Sequence, residues 1–140
     1  MFGTLHSDEI EDILFTYHTG HLACIAAGAP YIVPVTYAYD GGALYGAITP
    51  GCKITALRDN SAVAFGIADL SEPHRWRSVI IEGTWSEVTD PHEREQTIAL
   101  LANVDQPIEL DESSILFRVS PQQRSGRWLE TPHRHTAMRH

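Results

Sequence analysis

The sequence predicts a mainly β protein: a small antiparallel β-barrel with peripheral helices. Three observations carry this. Its alternating apolar runs are short and joined by tight glycine turns, which suit hairpins and leave no room for parallel crossovers. Helical patterning is confined to three short stretches. The 140 residues, 43% hydrophobic and 20% charged, match an ordinary globular chain that can bury a core without disulfides.

Each element has a local reason. Residues 7–18 read as a helix, with Ser7 as N-cap, acids in the first turn and a stripe of Ile10, Ile13, Leu14 and Tyr17. Gly20 stops it. His21 to Ala27 is a short apolar strand closed by Gly28-Ala29-Pro30. Tyr31 to Asp40 alternates, placing Tyr31, Val33, Val35, Tyr37 and Tyr39 on one face. Asp40-Gly41-Gly42 turns the chain back into Ala43 to Ile48, because glycine accepts the positive φ of a tight hairpin. Thr49-Pro50-Gly51 breaks that strand, and Cys52 to Asn60 follows as a short helix with Ile54 and Leu57 inward.

Ala62 to Ala68 is the next strand, Asp69 to His74 a polar loop, and Arg75 to Val88 a long strand bent near Gly83. Its two faces carry Val79, Ile81 and Trp85 on one side, and Trp76, Ser78, Ile80 and Glu82 on the other. Asp90-Pro91-His92-Glu93 starts a helix that runs to about Asn103, with Asp90 capping, Pro91 in the first turn and Glu93 closing a box. Ser114 to Ser120 is a last strand, and Pro121 to His140 is a basic, polar tail without a period. The expectation is six strands and three helices in a single domain spanning 1–140, with its core in 8–120 and a tail in 121–140. So small a barrel is filled by its own side chains, so a ligand site belongs outside it or between two copies.

Eighteen acidic and ten basic side chains give a formal charge of −8, which argues against nucleic acid and against anionic membranes as partners. No basic, then apolar leader opens the chain and no apolar run approaches a membrane span, so a cytoplasmic protein is expected, with Cys24 and Cys52 as free thiols.

Several clusters could carry chemistry. Thr49-Pro50-Gly51-Cys52-Lys53 offers a hydroxyl, a close-approach glycine and a cation at a strand-to-helix junction, suiting a phosphate. The same residues also describe a plain turn with a surface lysine. Pro34-Val35-Thr36 places a proline in a strand, which marks an edge or a bulge. Arg75-Trp76-Arg77-Ser78 reads either as a grip for an anionic aromatic ligand or as a charged edge strand. His18, His21 and Cys24 have ligand-like spacing but straddle a helix-to-strand junction. With His133, His135 and His140 in the tail they form no complete metal pattern, so no metal is expected. No hydrolase or dinucleotide-binding motif is present, and no catalytic residue is assigned.

Taken in order, Gly20-His21-Leu22-Ala23, Gly28 to Tyr37, Tyr39 to Tyr45, Gly51-Cys52-Lys53, Leu57-Arg58-Asp59-Asn60, Trp76-Arg77-Ser78-Val79 and Glu82-Gly83 form a familiar series. Over residues 8–120 the chain resembles the pyridoxamine 5′-phosphate oxidase-like flavoproteins, and within them the nitroimidazole-resistance branch. The resemblance implies a split β-barrel, a homodimer and FMN in clefts at the subunit interface. It implies that Pro34, Val35, Thr36 and Tyr37 line the isoalloxazine and ribityl region, and that Ala47, Ile48 and Thr49 continue the wall. Lys53 would hold the phosphate, with Ser78 touching the flavin from the long strand and Arg127 and Trp128 reaching the partner's flavin. Ala47 stands where that branch commonly has a histidine, and Cys52 where it has a second basic residue.

The function expected from this is an FMN-binding oxidoreductase that moves electrons or hydride between flavin and a small substrate such as a nitro-aromatic or a quinone. One alternative is a non-catalytic protein of the same fold holding flavin, haem or a deazaflavin, with His18, His21 and His74 as candidate haem ligands. Another is a structural dimer without a ligand.

Overall fold

The computed structural model describes residues 1–132; the tail histidines His133, His135 and His140 lie outside the described residues. The strands are β1 (Phe2–Thr4), β2 (Thr19–Ala26), β3 (Ala29–Asp40), β4 (Ala43–Ala47), β5 (Ala62–Glu72), β6 (Arg75–Glu87) and β7 (Leu116–Glu130). The helices are α1 (Ser7–Thr16), α2 (Ile54–Asp59) and α3 (Pro91–Ala102). All pairings are antiparallel in the order β1-β7-β4-β3-β2-β5-β6. A further pairing of β6 with β7 along the whole of β6 closes the sheet into a barrel, with β1 added to the far end of β7. No helix among the described residues is long and apolar enough to cross a membrane.

Two hairpins follow directly from their turns. Ala27 and Gly28 both have positive φ, and so do Gly41 and Gly42, the geometry whose twist matches paired strands. The alternation of β3 is realised: Val33, Val35, Tyr37 and Tyr39 are buried, while Ile32 and Pro34 face out. Val79, Ile81 and Trp85 likewise point inward, with Ile80 and Trp76 outside. Ile10, Ile13 and Leu14 of α1 join the same core, and the buried Tyr37 hydroxyl donates to the Leu14 carbonyl at 2.9 Å, tying helix to barrel. A second apolar cluster, with Ala38, Ala47, Val88, Leu101 and Leu116, lies under α3.

Several expectations are corrected. The cap of α1 is His6, whose N–H donates to Glu9 at 2.9 Å; Ser7 is already helical. The helix ends at Thr16, and α2 begins at Ile54, with Lys53 as its N-cap. Asp90 does cap α3 by accepting from the Glu93 N–H, but Glu93 itself turns to Arg118 at 2.7 Å. Asp69 to His74 is no loop: β5 continues to Glu72 and turns tightly into β6. Nor is β6 an edge, since it lies between β5 and β7.

The largest correction concerns β7. The expected end at Ser120 is only a bulge, where Gln122 is the extra residue between the pairs Glu82–Gln123 and Gly83–Pro121. The strand resumes and runs to Glu130, which makes seven strands with β1 rather than six. Its second half lacks an apolar period because Arg124 and Gly126 occupy core-side positions; Leu5 and Ile10 fill the space above Gly126.

At the turn between β5 and β6, Asp69 is 4% exposed and accepts from Arg77 at 2.6 and 2.9 Å and from the Ser71 hydroxyl at 2.7 Å. Burial alone would raise this carboxyl, but hydrogen bonds from Ser71, Tyr17 and Arg77 hold it well below the usual carboxylate range. A carboxyl depressed in the folded state contributes stability that is complete above its unfolded value near pH 4 and is lost as pH falls further. Arg77→Met should therefore cost about 2–3 kcal/mol in urea unfolding at neutral pH, and its stability should fall less than the wild type's between about pH 5 and pH 2. A Cβ on Gly83 would run into the Ser120 carbonyl at the bulge. Gly83→Val should destabilise by about 2 kcal/mol or more in the same assay, whereas the outward Glu82→Val should change little.

Candidate functional site

The barrel has a seam. β3 pairs with β2 from Ala29 to Thr36, but with β4 only from Tyr37 to Asp40. On the β4 side, residues 29–36 therefore pair with no strand among the described residues, and Pro34 lies in that open stretch. A proline fits there because no ladder partner needs its N–H.

Two irregular segments border the seam. Segment 48–53 leaves β4 and passes Tyr31, whose hydroxyl donates to the Gly51 carbonyl at 2.6 Å. Gly51 takes φ +98° and comes so close to Val33 that a Cβ would sit 3.2 Å from its methyl group, which explains the glycine. Segment 104–115 is strapped down by Thr36, whose hydroxyl donates to the Pro107 carbonyl at 2.6 Å, and by Thr19 to Gln106 at 3.2 Å. Clefts open on either side of 48–53. One of about 460 Å³ is lined by Ile48, Thr49, Pro107 and Ile108, with Glu109 and Asp111 on its rim. The other, of about 610 Å³, is lined by Tyr31, Lys53, Ile54 and Asp59.

The expected site residues separate into three groups. Pro34, Thr36, Ile48, Thr49 and Lys53 border the seam or its clefts. Val35 and Tyr37 point into the core at 2% and 0% exposure with their main chain turned to β2, where the Tyr37 N–H donates to the His18 carbonyl at 2.8 Å, and Ala47 lies under α3 at 1%, so none of the three offers a ligand its side chain. Ser78 and Trp128 lie elsewhere. Ser78 is on the outer face of β6, opposite Arg127, three strands from Thr36, roughly 15 Å at ordinary strand spacing. Trp128 packs on its own chain's core beside Gly3.

Charge separates the cations. Arg58 pairs with Glu87, Arg75 with Glu72, and Arg77 with the buried Asp69, so the expected grip of Arg75 and Arg77 on an anion is taken up internally. Among the described residues, Lys53 and Arg127 are the lysine and arginine side chains with neither an ion pair nor a hydrogen bond. The Lys53 ammonium lies 5.0 Å above the Tyr31 ring, which holds it at the seam without neutralising it.

Other candidates fall apart. His18 Nδ1 lies 3.2 Å from the Tyr37 carbonyl, His21 faces outward, and Cys24 is buried on the opposite face of β2. Burial pushes the Cys24 thiol up, and the half-buried Cys52 sulfur sits 3.5 Å from the Thr49 hydroxyl. Sequence reasoning missed Tyr31 as the platform under Lys53 and the Gln106-Pro107 strap. Tyr31 was legible as a core-facing aromatic at the end of β3, but nothing in sequence spacing joins either residue to its partner.

The outer face of β2, β3, β5 and β6 carries a run of exposed apolar side chains. Ile32 is 64% exposed, Leu70 72%, Ile80 44% and Trp76 38%. Ala23, Ala64 and Gly66 lie between them in register and keep the face flat, and His21 and Glu82 share it.

Comparison with known proteins agrees with this geometry. The family model described as pyridoxamine 5′-phosphate oxidase matches residues 6–128. An uncharacterized protein of Rhizobium meliloti is 36% identical over 81 residues, 58% of this chain, and the match spans about half of that relative, 54%. The crystal structure of a FAD-binding protein from Mesorhizobium loti superposes with a TM-score of 0.79 at 30% identity, covering 93% of this chain and 99% of that one. A structure described as that of a candidate 5-nitroimidazole antibiotic resistance protein from Bacteroides thetaiotaomicron has a TM-score of 0.77 at 18% identity, over 91% of this chain and 87% of that one; it speaks for the fold alone. A seven-stranded antiparallel barrel split beside β3, with a family model matched along most of its length, makes this chain a member of the pyridoxamine 5′-phosphate oxidase family.

Proposed function

We propose that the chain is a flavin-binding oxidoreductase that holds FMN, or the FMN half of a larger flavin, along the seam of β3, between two copies of itself. The observation that carries this is Lys53: an uncompensated cation at an open strand edge, fixed by Tyr31 and lining one of the two clefts beside segment 48–53. A terminal phosphate needs such a charge in an otherwise acidic protein. The relation to a protein named as FAD-binding supports a flavin as the group.

Bound flavin would supply the electron or hydride transfer, and the protein's residues would position it. Lys53 neutralises the phosphate. The seam-side main chain of Pro34 and Thr36 faces the ring and ribityl chain, and Ile48 and Thr49 close the wall. Ala47 contributes its main chain alone, so no imidazole acts there. Ser78 lies three strands from Thr36 with Arg127 opposite it, and Trp128 packs on its own core, so within one chain they stand apart from the seam. A second copy packed on the flat apolar face brings its Ser78 and Arg127 toward the first copy's seam, and exposed patches of this kind mark interfaces. The acidic rim of Glu109 and Asp111 repels anions, which favours an uncharged substrate such as a nitro-aromatic or a quinone. The haem alternative has no comparable observation behind it, since His18 is turned to the Tyr37 carbonyl.

Flavin fluorescence quenching tests the site. Lys53→Ala should weaken FMN binding roughly tenfold or more while riboflavin, which lacks the phosphate, is little affected. Equal affinities for wild type and variant would remove Lys53 from the site. Ile80→Asp should yield a folded monomer by sedimentation that has lost most FMN affinity; a monomer with unchanged affinity would show that one chain suffices.

A further inference from the structure

We propose that segment 104–115 is a gate at one end of the seam, with Thr36 as the positioning residue that holds it shut. The inference rests on the flavin reading and adds how the bound group enters and leaves.

Thr36 faces outward in the alternation of β3, yet it is only 6% exposed. Segment 104–115 covers it, and the Thr36 hydroxyl donates to the Pro107 carbonyl at 2.6 Å. Thr19, its cross-strand partner on β2, takes the preceding residue by donating to the Gln106 side chain at 3.2 Å. Two neighbouring hydroxyls clasp two consecutive residues. Among the described residues no other hydrogen bond reaches 105–110. Ile108 and Leu110 add apolar contact with the cluster under α3, but both stay partly exposed.

The far end of the segment is held differently. Asp111 to Ser114 close their own turn, with the Ser114 N–H donating to the Asp111 carbonyl at 3.1 Å. The Arg94 guanidinium donates to the Glu112 and Ser114 carbonyls at 3.4 and 2.9 Å, and the Ile48 N–H donates to the Ile115 carbonyl at 2.9 Å. Hydrogen bonds from a charged donor are the stronger kind, so the segment hinges at the Arg94 end and opens at the clasp. The part that moves, 105–110, carries Pro107, Ile108 and Glu109, which line one side of the cleft of about 460 Å³; Ile48, Thr49 and Pro50 line the other. Releasing the clasp widens that cleft at Thr36, where the open stretch of β3 ends. With its proton committed to Pro107, the Thr36 hydroxyl acts through the segment and not on the ligand.

Thr36→Val keeps the side chain's shape and removes the donor, Thr36→Ser restores it, and Thr19→Val cuts the second bond from an exposed position. Amide hydrogen exchange on the ligand-free chain follows the segment, and stopped-flow quenching of FMN fluorescence follows binding in both directions. In Thr36→Val, exchange across 105–110 should quicken roughly tenfold while β5 and β6 are unchanged. FMN association and dissociation should both quicken by roughly fivefold, leaving the affinity nearly constant, because a gate acts on both rates alike. Thr19→Val should shift the same quantities less, and Thr36→Ser should match the wild type. Unchanged exchange in Thr36→Val would overturn the clasp. Faster exchange with unchanged FMN rates, or faster dissociation alone with affinity weakened to match, would overturn the gate and leave the flavin reading standing. Failure of the wild type to bind FMN would overturn both.

Discussion

The closure of β6 onto β7 governs everything else in this molecule. Once those two strands pair along their length, the sheet is a barrel too narrow to be hollow. Tyr37, Phe65, Phe117 and the aliphatic side chains around them fill it completely. Any ligand must then be held on the outside, at a place where the wall is incomplete. Along residues 29–36 of β3 the wall lacks a β4 partner, because β4 is too short to accompany it.

That shortness has a local origin. Thr49-Pro50-Gly51 ends β4, and Gly51 at φ +98° folds the chain back across the seam instead of along it. The same turn delivers Lys53 to the ring of Tyr31. A loss of strand pairing, a close backbone approach and a free cation are thus consequences of five consecutive residues. Among the described residues, the other lysine and arginine cations are held by carboxylates or backbone carbonyls that the fold provides, with Arg127 the exception on the outer face of β7. The flat apolar face, meanwhile, leaves exposed side chains that a single chain does not cover.

Much of this was legible in the sequence. The alternation of β3, the glycine turns and the Asp90-Pro91 helix start specify their elements locally, and the structure follows them. β7 was illegible beyond Ser120 because its core-side positions there are arginine and glycine, and it is held by long-range pairing with β6 rather than by an apolar period. The polar stretch after Ala68 read as a loop for a similar reason: its buried residue is Asp69, which is satisfied by Arg77 eight residues on. For the site, residue identity pointed to Lys53, Thr49 and Pro34, but not to which side chains face inward. Val35, Tyr37 and Ala47 are core residues as well as neighbours of the seam, a distinction only the closed barrel makes.

The central claim is that this seam holds a flavin. A visible absorption spectrum of the purified protein, taken as isolated and again after adding FMN and desalting, tests it most directly. The account predicts the twin bands of a flavin, retained through desalting in proportion to protein. A protein that stays colourless after desalting would contradict it, and a Soret band would replace the flavin with haem.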